Sequence, residues 1–441
     1  MARITSIIFL LLLILNSRIC LASVPGQPEE VLAAPPAACA APSTSNWPGL
    51  TLRNGDVTSA AILDEIDGYA KNANTTGGLG GQLVEVTSTA DYDSHAGENP
   101  VQGSLRWIVE RATRANTPIW ITFSPVLGRS AVITLKSPLR LGSNVTVDGS
   151  CANVTIQGAS DTGLLYVIDT HNVVIDRLRL TNNVSDLPGA VLGSTIRLGG
   201  NFDAVAILHN EISECGDKCI ATTAGRGRPV PRQARVTVAF NYIHDHDKAI
   251  LFGSYNCLDG DNCTVQEALQ NAELRPGLFM TMEGNALIRT AQRNPRVFGR
   301  AMLHAFDNYI AFQPYVRPSG KTSAAYGIFV SNGARALIEH NRLVPLDAKK
   351  VEAIFTQGMP GTRVGEGDRP GEIRLEGGPQ VPPDAIVGQN EPEAVPTPDY
   401  AYHAIPLELL PPDQALACVA SRAGRNGASS WDDPVCAGPA D

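Results

Sequence analysis

The chain has 441 residues, and its 35 lysines and arginines against 44 aspartates and glutamates give a formal net charge of −9. An acidic total argues against broad binding to nucleic acids or anionic membranes, although a local basic cleft is compatible with it. Hydrophobic residues make up 43% of the chain, enough for one large domain or two to three smaller ones. The 41 glycines and 31 prolines predict many turns rather than long helices.

The N-terminus has the pattern of a secretion signal. Arg3 precedes an apolar run over residues 7–15 that is short for a membrane span, and Ala22 offers a small residue for cleavage. We therefore predict a signal peptide over residues 1–22 and a secreted or periplasmic protein with no membrane segment after its removal. An uncleaved anchor is the alternative. Residues 23–46 are rich in Ala and Pro and predict a disordered leader.

The cysteine count fits an exported protein. Nine cysteines are present, and loss of Cys20 with the signal leaves eight, an even number that predicts disulfides. Proximity in the chain suggests Cys215 with Cys219, Cys257 with Cys263, and Cys418 with Cys436, which leaves Cys39 with Cys151. Zinc is the competing interpretation for Cys215 and Cys219, but no second ligand pair follows at a suitable spacing.

Helices are predicted only at the two ends and in one insert. The spacing of apolar residues predicts a helix over residues 60–70 and a second over 104–114. From residue 118 onwards, short strands of three to six residues recur, from 119–123 to 336–338, divided by Gly, Asn, Asp or Ser. An insert over 265–272 and a tail segment over 413–423 are predicted helical. Beyond residue 344 the strands fade, and residues 346–441 are predicted to be a loop-rich extension.

A repeated phrase indicates a solenoid. A strand, an asparagine and an apolar residue one or two places later recur at Asn210, Asn241, Asn285, Asn308 and Asn341. Steps of 20–50 residues are typical of repeat folds, and an asparagine side chain can satisfy backbone groups at the corner of each coil. The sequence therefore predicts an all-β parallel β-helix over residues 47–345. A β-sandwich or a propeller is the alternative, and the irregular spacing argues against blades of constant length.

Two charged stretches lie beside predicted strands. His244-Asp245-His246-Asp247-Lys248 comes first, and Arg293-Asn294-Pro295-Arg296-Val297 follows it. Basic groups held beside strands in an acidic protein predict an anion site, and our leading hypothesis is a site for an acidic sugar.

Several phrases together resemble the pectate lyase family, whose members fold as right-handed parallel β-helices. No single phrase is decisive, but their shared order is specific and covers roughly residues 70–345. The matching phrases are residues 76–81 (TGGLGG), 103–106 (GSLR), 145–149 (VTVDG), 172–175 (NVVI), 241–248 (NYIHDHDK), 293–297 (RNPRV) and 304–309 (HAFDNY).

The resemblance implies β-elimination in a polyuronate chain and assigns roles to basic residues. It implies that Arg293 is the catalytic base, that Lys248 binds a substrate carboxylate, and that Arg296 and Arg300 support or bind the substrate. Arginine is normally protonated, so such a base needs a crowded cationic site that makes its neutral form accessible. Ordinary ion pairs are the alternative for Arg293 and Lys248. The family arginine that Arg300 would replace normally follows Val297 directly, and Phe298 stands there in this chain.

The calcium site that the resemblance implies departs most from the pattern. Of the family's acidic phrases only Asp217 survives cleanly, with Glu211, Glu214 or Asp203 as further candidates, whereas Ca²⁺ prefers six to eight oxygen ligands. Three interpretations stay open: calcium bound mainly through substrate, Arg197 or Lys218 in its place as in the related pectin lyases, or lost catalysis with sugar binding retained.

The sequence thus predicts a secreted, monomeric lyase for pectate-type polyuronates that binds acidic polysaccharide and no nucleic acid. The alternatives are a pectin lyase-like enzyme acting on methylated pectin and a non-catalytic glycan-binding protein. Hydrolases with β-helix folds use carboxylate pairs. Asp245 and Asp247 offer one such pair, but the Arg-X-Pro-Arg phrase favours a lyase.

Overall fold

The computed structural model describes residues 50–424, apart from 129, 151, 159–162, 183–192, 224–232, 255–276, 318–319, 348–350, 357–358, 360–369, 378–380, 382–384 and 403. The predicted signal peptide, the leader, the helix over 265–272 and the pairs Cys257–Cys263 and Cys39–Cys151 lie outside these residues. No helix within the described ranges is long and apolar enough to cross a membrane.

Short strands are the main regular structure of the described chain. The first nine are β1 Leu50–Arg53, β2 Asp56–Ala60, β3 Gln82–Val86, β4 Ile119–Phe123, β5 Ala131–Leu135, β6 Leu139–Arg140, β7 Val145–Asp148, β8 Val154–Gly158 and β9 Leu165–Ile168. The next nine are β10 His171–Asp176, β11 Arg179–Thr181, β12 Ile196–Gly199, β13 Asp203–Leu208, β14 Glu211–Ser213, β15 Ile220–Thr223, β16 Ala234–Ala239, β17 Tyr242–Lys248 and β18 Ile250–Ser254.

The remaining strands follow the insert at 255–276. They are β19 Leu278–Glu283, β20 Ala286–Gln292, β21 Arg296–Gly299, β22 Ala301–Phe306, β23 Tyr309–Phe312, β24 Tyr315–Val316, β25 Thr322–Ser323, β26 Ile328–Ser331, β27 Arg335–Glu339, β28 Arg342–Pro345, β29 Glu352–Thr356, β30 Glu372–Glu376 and β31 Ile386–Val387.

These strands wind into a parallel β-helix, as the sequence predicts. Sheet 1 has the order β1-β2-β3-β4-β7-β10-β13-β16-β19-β22-β27-β30, sheet 2 has β28-β23-β20-β17-β14-β11-β8-β5, and sheet 3 has β31-β29-β26-β21-β18-β15-β12-β9-β6. Each coil contributes one strand to each sheet, for example β16, β17 and β18. Within the described residues, pairing is parallel except in β1–β2, β2–β3 and the small hairpin β24–β25.

The core is built from stacked apolar side chains in register. One row of sheet 1 runs through Val145, Val173, Val205, Val236, Met280, Leu303, Ala336 and Ile373. All of them are at most 1% exposed. Because side chains alternate across a strand, one face of each strand fills the interior. The opposite face of sheet 1 carries Val174, Ala206 and Ala239, which pack with Ile62 and Ile66 in a second apolar cluster.

The asparagine repeat behaves as predicted. Each Nδ2 group donates to the Oδ1 atom of the next asparagine, at 3.1 Å from Asn210 to Asn241, 3.0 Å to Asn285, 2.8 Å to Asn308 and 2.8 Å to Asn341. All five asparagines are buried. They form a continuous ladder at the corner where sheet 1 passes into sheet 2, and so fix the register of five successive coils.

The three helices differ in how well the sequence predicts them. Helix α1, Gly68–Asn72, and a 3-10 turn over Ala61–Glu65 replace the single predicted helix. Gly68 has a φ of +67° and approaches Thr281 so closely that a Cβ atom would clash with it, which explains the interruption. Helix α2, Leu105–Ala115, begins as predicted after Ser104, whose Oγ accepts from the Trp107 N–H at 3.2 Å.

The C-terminal region corrects one expectation. The strands do not fade beyond residue 344, because β28 to β31 extend all three sheets as far as Val387. Helix α3, Pro412–Arg422, is confirmed and packs on sheet 2 through Ala415, Cys418 and Val419. Cys418 is disulfide-bonded, and its predicted partner Cys436 lies outside the described residues.

Candidate active site

Three corners between sheet 2 and sheet 3 bring the predicted basic residues together. Asp217 and Lys218 lie between β14 and β15, Lys248 ends β17, and Arg293 lies between β20 and β21. The corners are joined by backbone hydrogen bonds, from Cys219 N–H to the Lys248 carbonyl at 3.2 Å and from Ile250 N–H to the Arg293 carbonyl at 2.7 Å. Successive coils therefore place these side chains next to one another along the solenoid axis.

Asp217 is the centre of the cluster. Its Oδ1 atom lies 2.7 Å from Lys248 Nζ, and its Oδ2 atom contacts Lys218 Nζ. The carboxylate is 28% exposed, whereas the two lysine side chains are only 15% and 19% exposed. Two ammonium groups thus share one carboxylate at a surface that is still open to water.

A disulfide and a buried histidine hold this corner. Cys215 and Cys219 form the predicted disulfide, with Cα atoms 4.8 Å apart. His246 Nδ1 accepts a hydrogen bond from Cys215 N–H at 3.3 Å, and its Nε2 lies 3.2 Å from the Asp217 carbonyl oxygen. The first bond requires an unprotonated Nδ1, so the ring is neutral with its proton on Nε2. Because both sulfurs are bonded to each other, zinc is excluded at this pair, although His246 lies close to them.

Arg293 is fixed by its neighbours and has unused donors. It has a φ of +61°, a left-handed conformation that is uncommon for a residue with a Cβ atom. The next residue, Asn294, anchors the turn by donating from Nδ2 to the Tyr326 carbonyl at 2.9 Å. The Nε and Nη1 atoms of Arg293 are shielded from water and have no hydrogen-bond partner among the described residues. Such unsatisfied donors are costly, and an anionic ligand would satisfy them.

Arg296 lies on the outer face of sheet 3. One row of this sheet runs through Arg197, Ala221, Leu251, Arg296, Phe329 and Phe355. The Arg296 guanidinium lies 4.9 Å from the centre of the Phe329 ring and 6.0 Å from that of Phe298. Three strand spacings, about 14 Å, separate Arg197 from Arg296. Two positive groups therefore lie three strands apart in a row that runs along the solenoid axis.

Arg300 does not join this cluster. It lies between β21 and β22, its side chain is 2% exposed, and its backbone N–H donates to the Ser254 carbonyl at 3.2 Å. The family resemblance predicts that Arg300 contacts the substrate, but a buried guanidinium cannot contact a soluble polysaccharide in this conformation. Phe298 occupies the outward position instead, beside Arg296.

The clustered cations perturb one another. Burial, and then the charges of Arg293, Lys248 and Arg197, lower the pKa of Lys218 to about 7, while the adjoining Asp217 carboxylate acts in the opposite direction. Burial and Arg293 also lower the pKa of Lys248. Like charges held this close favour an incoming anion, which relieves their mutual repulsion.

The residues around Asp217 do not fit a calcium ion. Both of its carboxylate oxygens already contact ammonium groups. Within the described ranges, no group of three carboxylate or imidazole ligands includes Asp217. Two of the three other predicted ligands are engaged elsewhere, because Asp203 pairs with Arg235 and Glu211 with Arg179. A hard divalent cation requires several carboxylate oxygens, and this corner presents amines instead.

The neighbouring aspartates do not form a hydrolase pair. Arg289 binds both oxygens of Asp245, at 2.5 and 2.6 Å, while Arg317 and Gln292 bind Asp247 at 2.7 and 2.9 Å. Although burial acts against them, these bonds lower the pKa of both carboxyls. A glycosidase needs one carboxyl that stays protonated, with a raised pKa. Neither aspartate provides it.

Sequence reasoning missed the aromatic side of the site. Tyr326, Phe329 and Phe355 form a cluster in which the two phenylalanine rings stack 4.6 Å apart. The burial of Tyr326 raises the pKa of its hydroxyl, and the neighbouring Arg293 and Arg296 oppose this shift. The sequence contains one feature that could have indicated this aromatic cluster: the residues of β26 are apolar at successive positions. That pattern is typical of a strand covered on both faces.

His246 should make stability depend on pH. Burial, assisted by Lys248, Arg317 and Lys218 and opposed by Asp247, lowers its pKa from 6.5 to about 4. Between these values the unfolded chain binds a proton that the folded chain does not. Stability is therefore expected to fall as the pH decreases from about 6.5 to 4, by about 3 kcal/mol from this group.

Denaturant unfolding of the parent and His246→Gln at pH 7 and pH 4 measures this dependence. Glutamine does not titrate and retains one donor and one acceptor. The difference in unfolding free energy between the two proteins should shrink at pH 4. An unchanged difference in unfolding free energy between pH 7 and pH 4 would contradict the assignment of this pH dependence to His246.

Comparison with known proteins agrees with this architecture. A family model described as pectate lyase matches residues 39–358. A pectate lyase of Lilium longiflorum is 29% identical over 230 residues, 49% of this chain and 46% of the relative. Pectate lyase 1 of Juniperus ashei is 28% identical over 267 residues, 57% of this chain and 66% of the relative. The chain spans about half the length of the curated relatives that it matches first.

Two solved structures share the fold. The major allergen jun a 1 from cedar pollen has a TM-score of 0.54 at 22% identity, covering 82% of this chain and 93% of the allergen. A pectate lyase from Bacillus sp. N165, solved with trigalacturonate, has a TM-score of 0.51 at 19% identity, covering 82% of this chain and 99% of the enzyme. From the coverage of the family model, together with the shared β-helix, the chain belongs to the pectate lyase family.

Proposed function

We propose that this protein is a polysaccharide lyase that cleaves polygalacturonate-type polyuronates by β-elimination. The observation that carries the proposal is the cluster of Lys218, Lys248 and Arg293 beside Asp217. Lys218 and Lys248 contact it, and Arg293 and Arg296 have no carboxylate partner among the described residues. A polyuronate offers the repeated negative charge that such a row attracts. The complex of a family relative with trigalacturonate supports the same substrate class.

The proposed reaction uses these side chains in separate roles. A base removes the proton on the carbon next to the uronate carboxylate. The electrons of that C–H bond form the new double bond, and the glycosidic oxygen leaves with its bonding pair and is protonated. Negative charge accumulates on the carboxylate during this step, so Lys248 and Lys218 lower the barrier by facing it. We assign proton removal to the neutral form of the Arg293 side chain, which lies beside Lys218 and Lys248, and binding of a neighbouring uronate to Arg296.

The basic corner itself favours a second candidate substrate. Lys218 contacts Asp217, the one calcium ligand that the resemblance clearly retains, and the related pectin lyases use a fixed cation in place of that ion. Methylated pectin is therefore the second candidate. From the predicted signal peptide we further propose that the protein acts outside the cytoplasm. We also propose that it acts as a monomer.

Product analysis with a double variant tests the proposed activity. Elimination gives an unsaturated uronate that absorbs in the ultraviolet, which hydrolysis does not produce. Lys248→Met/Arg293→Met is expected to reduce this signal by about 10³-fold or more on polygalacturonate and on methylated pectin. The matched control is Lys136→Met/Arg114→Met, which removes the same two charges from exposed ion pairs away from the cluster.

Two results would contradict the proposal. New reducing ends without ultraviolet absorbance would indicate a hydrolase. Binding of polyuronate without any product from the parent protein would indicate a glycan-binding protein.

A further inference from the structure

We infer that the disulfide-bracketed turn from Cys215 to Cys219 forms a metal-free receptor for one carboxylate group, in which Asp217 orients the ammonium groups of Lys218 and Lys248. That the carboxylate belongs to a uronate rests on the proposed function. The receptor itself requires only an anionic carboxylate ligand.

Unused hydrogen-bond capacity is the first support. Each ammonium group has three N–H donors, and each uses one on an oxygen of Asp217. Within the described ranges neither ammonium group makes another hydrogen bond to a protein group. Both side chains are more than four-fifths buried, so water can satisfy the remaining donors only in part. A second carboxylate placed opposite Asp217 would accept from both lysines at once.

Rigidity is the second support. Asp217 is fixed at its side chain by Lys248, at its carbonyl by His246 Nε2, and at its N–H by the Gly193 carbonyl at 3.3 Å. The disulfide closes the same turn on both sides. A pair of lysines would ordinarily lose much side-chain freedom when it binds a ligand, and this frame has removed part of that freedom beforehand.

The charge around the turn is the third support. Lys218 faces Arg293 from the corner after β20, Lys248 from β17 and Arg197 from β12, with Asp217 as its adjoining carboxylate. Arg197 stacks on Tyr166, with its guanidinium 5.3 Å from the ring centre. A divalent cation entering this space would meet four positive groups, and the two nearby carboxylates are already engaged, Asp217 by the lysines and Asp247 by Arg317 and Gln292. An anion would instead be attracted by the four positive groups, so the turn favours a carboxylate over a metal ion.

Calorimetric titration separates the receptor from a metal site. The parent protein, Lys218→Met, Lys218→Arg, Asp217→Asn and the control Lys136→Met are titrated with trigalacturonate in the presence of a chelator, and separately with calcium chloride alone. We expect the parent and Lys136→Met to bind trigalacturonate equally well in chelator. Lys218→Met should bind at least about 10-fold more weakly, and Lys218→Arg should restore part of the loss. Asp217→Asn should bind within a few-fold of the parent, because loss of the carboxylate charge favours an incoming anion while the single amide oxygen can orient only one of the two ammonium groups.

Opposite outcomes overturn the inference. Saturable calcium binding that Asp217→Asn abolishes, together with trigalacturonate binding that needs calcium, would identify Asp217 as a metal ligand. Equal trigalacturonate binding by Lys218→Met and Lys136→Met would remove Lys218 from the receptor. Circular dichroism of each variant shows whether a loss reflects misfolding, and the Lys218→Arg result decides the case where Lys218→Met does not fold.

The inference and the proposed function fail in distinguishable ways. Calcium-dependent elimination by the parent protein would overturn the inference and leave the lyase proposal standing. Chelator-insensitive, Lys218-dependent binding of trigalacturonate without any unsaturated product would overturn the lyase proposal and leave the receptor standing.

Discussion

Replacing Arg293 by lysine is expected to lower the turnover number on polygalacturonate by about 10²–10⁴-fold, with a much smaller change in KM. Lysine keeps the positive charge, so the long-range attraction for a polyanion is retained. It loses the planar fork that places Nε and Nη1 at fixed positions. Because Arg293 is held by the neighbouring coils through its carbonyl and through Asn294, a shorter and differently shaped donor cannot be moved into the same place.

Steady-state kinetics from the ultraviolet signal measure this effect, with Arg114→Lys as the matched control. Arg114 is 76% exposed on helix α2 and pairs only with Glu110 among the described residues. The control should leave both kinetic parameters unchanged. A rise in KM at constant turnover for Arg293→Lys would assign Arg293 to substrate binding rather than to the chemical step. Unchanged kinetics would place it outside the site.

The strands of sheet 1 could be predicted from the sequence because large apolar residues recur at every second position within short segments. In sheet 2 the sequence predicts β5, β8 and β11 but not the five later strands, and β17 shows why. It contains His244, Asp245, His246 and Asp247, which resemble a polar loop, and Asp245 has a φ of +50° that interrupts the alternation. What makes this segment a strand is its neighbour in space, since Arg289 of the next coil binds the Asp245 carboxylate. A contact between residues 44 positions apart leaves no local signal.

The residues of the site likewise divide into those that the sequence predicts and those that it does not. The order of the phrases pointed to Lys248, Arg293 and Arg296, and the structure brings Lys248 and Arg293 to adjacent corners and Arg296 to the adjoining sheet face. The environment of Asp217 could not be derived, because it depends on which side chains the coils above and below supply. Those side chains are lysines and arginines rather than carboxylates. The burial of Arg300 likewise follows from the packing of its corner and from nothing in the residues beside it.

Replacing Asn285 by alanine is expected to cost the protein about 3–5 kcal/mol of unfolding free energy. Its Nδ2 group donates to the Val238 carbonyl at 2.8 Å, the Glu283 carbonyl at 3.0 Å and Asn308 Oδ1 at 2.8 Å. Its Oδ1 atom accepts from the backbone N–H and the Nδ2 of Asn241, at 2.9 and 3.0 Å. Alanine would leave the buried Asn241 N–H unpaired and would break the ladder at its third of five members.

Denaturant unfolding measures the cost, and two further variants interpret it. Asn341→Ala removes the last member of the ladder, which has an asparagine on one side only, so it should cost less than Asn285→Ala. Asn72→Ala removes an exposed asparagine whose side chain binds Asp399, and it should change stability by no more than about 0.5 kcal/mol. Stability in a solenoid is a sum of coils and their interfaces, so a break in the middle weakens two interfaces at once. Equal losses for Asn285→Ala and Asn72→Ala would mean that the ladder follows from the fold and does not stabilise it. Losses in the expected order would show that the asparagines hold the coils in register, and with them the corners that carry Asp217, Lys248 and Arg293. The residues that reveal the repeat in the sequence would then also be the residues that stabilise it.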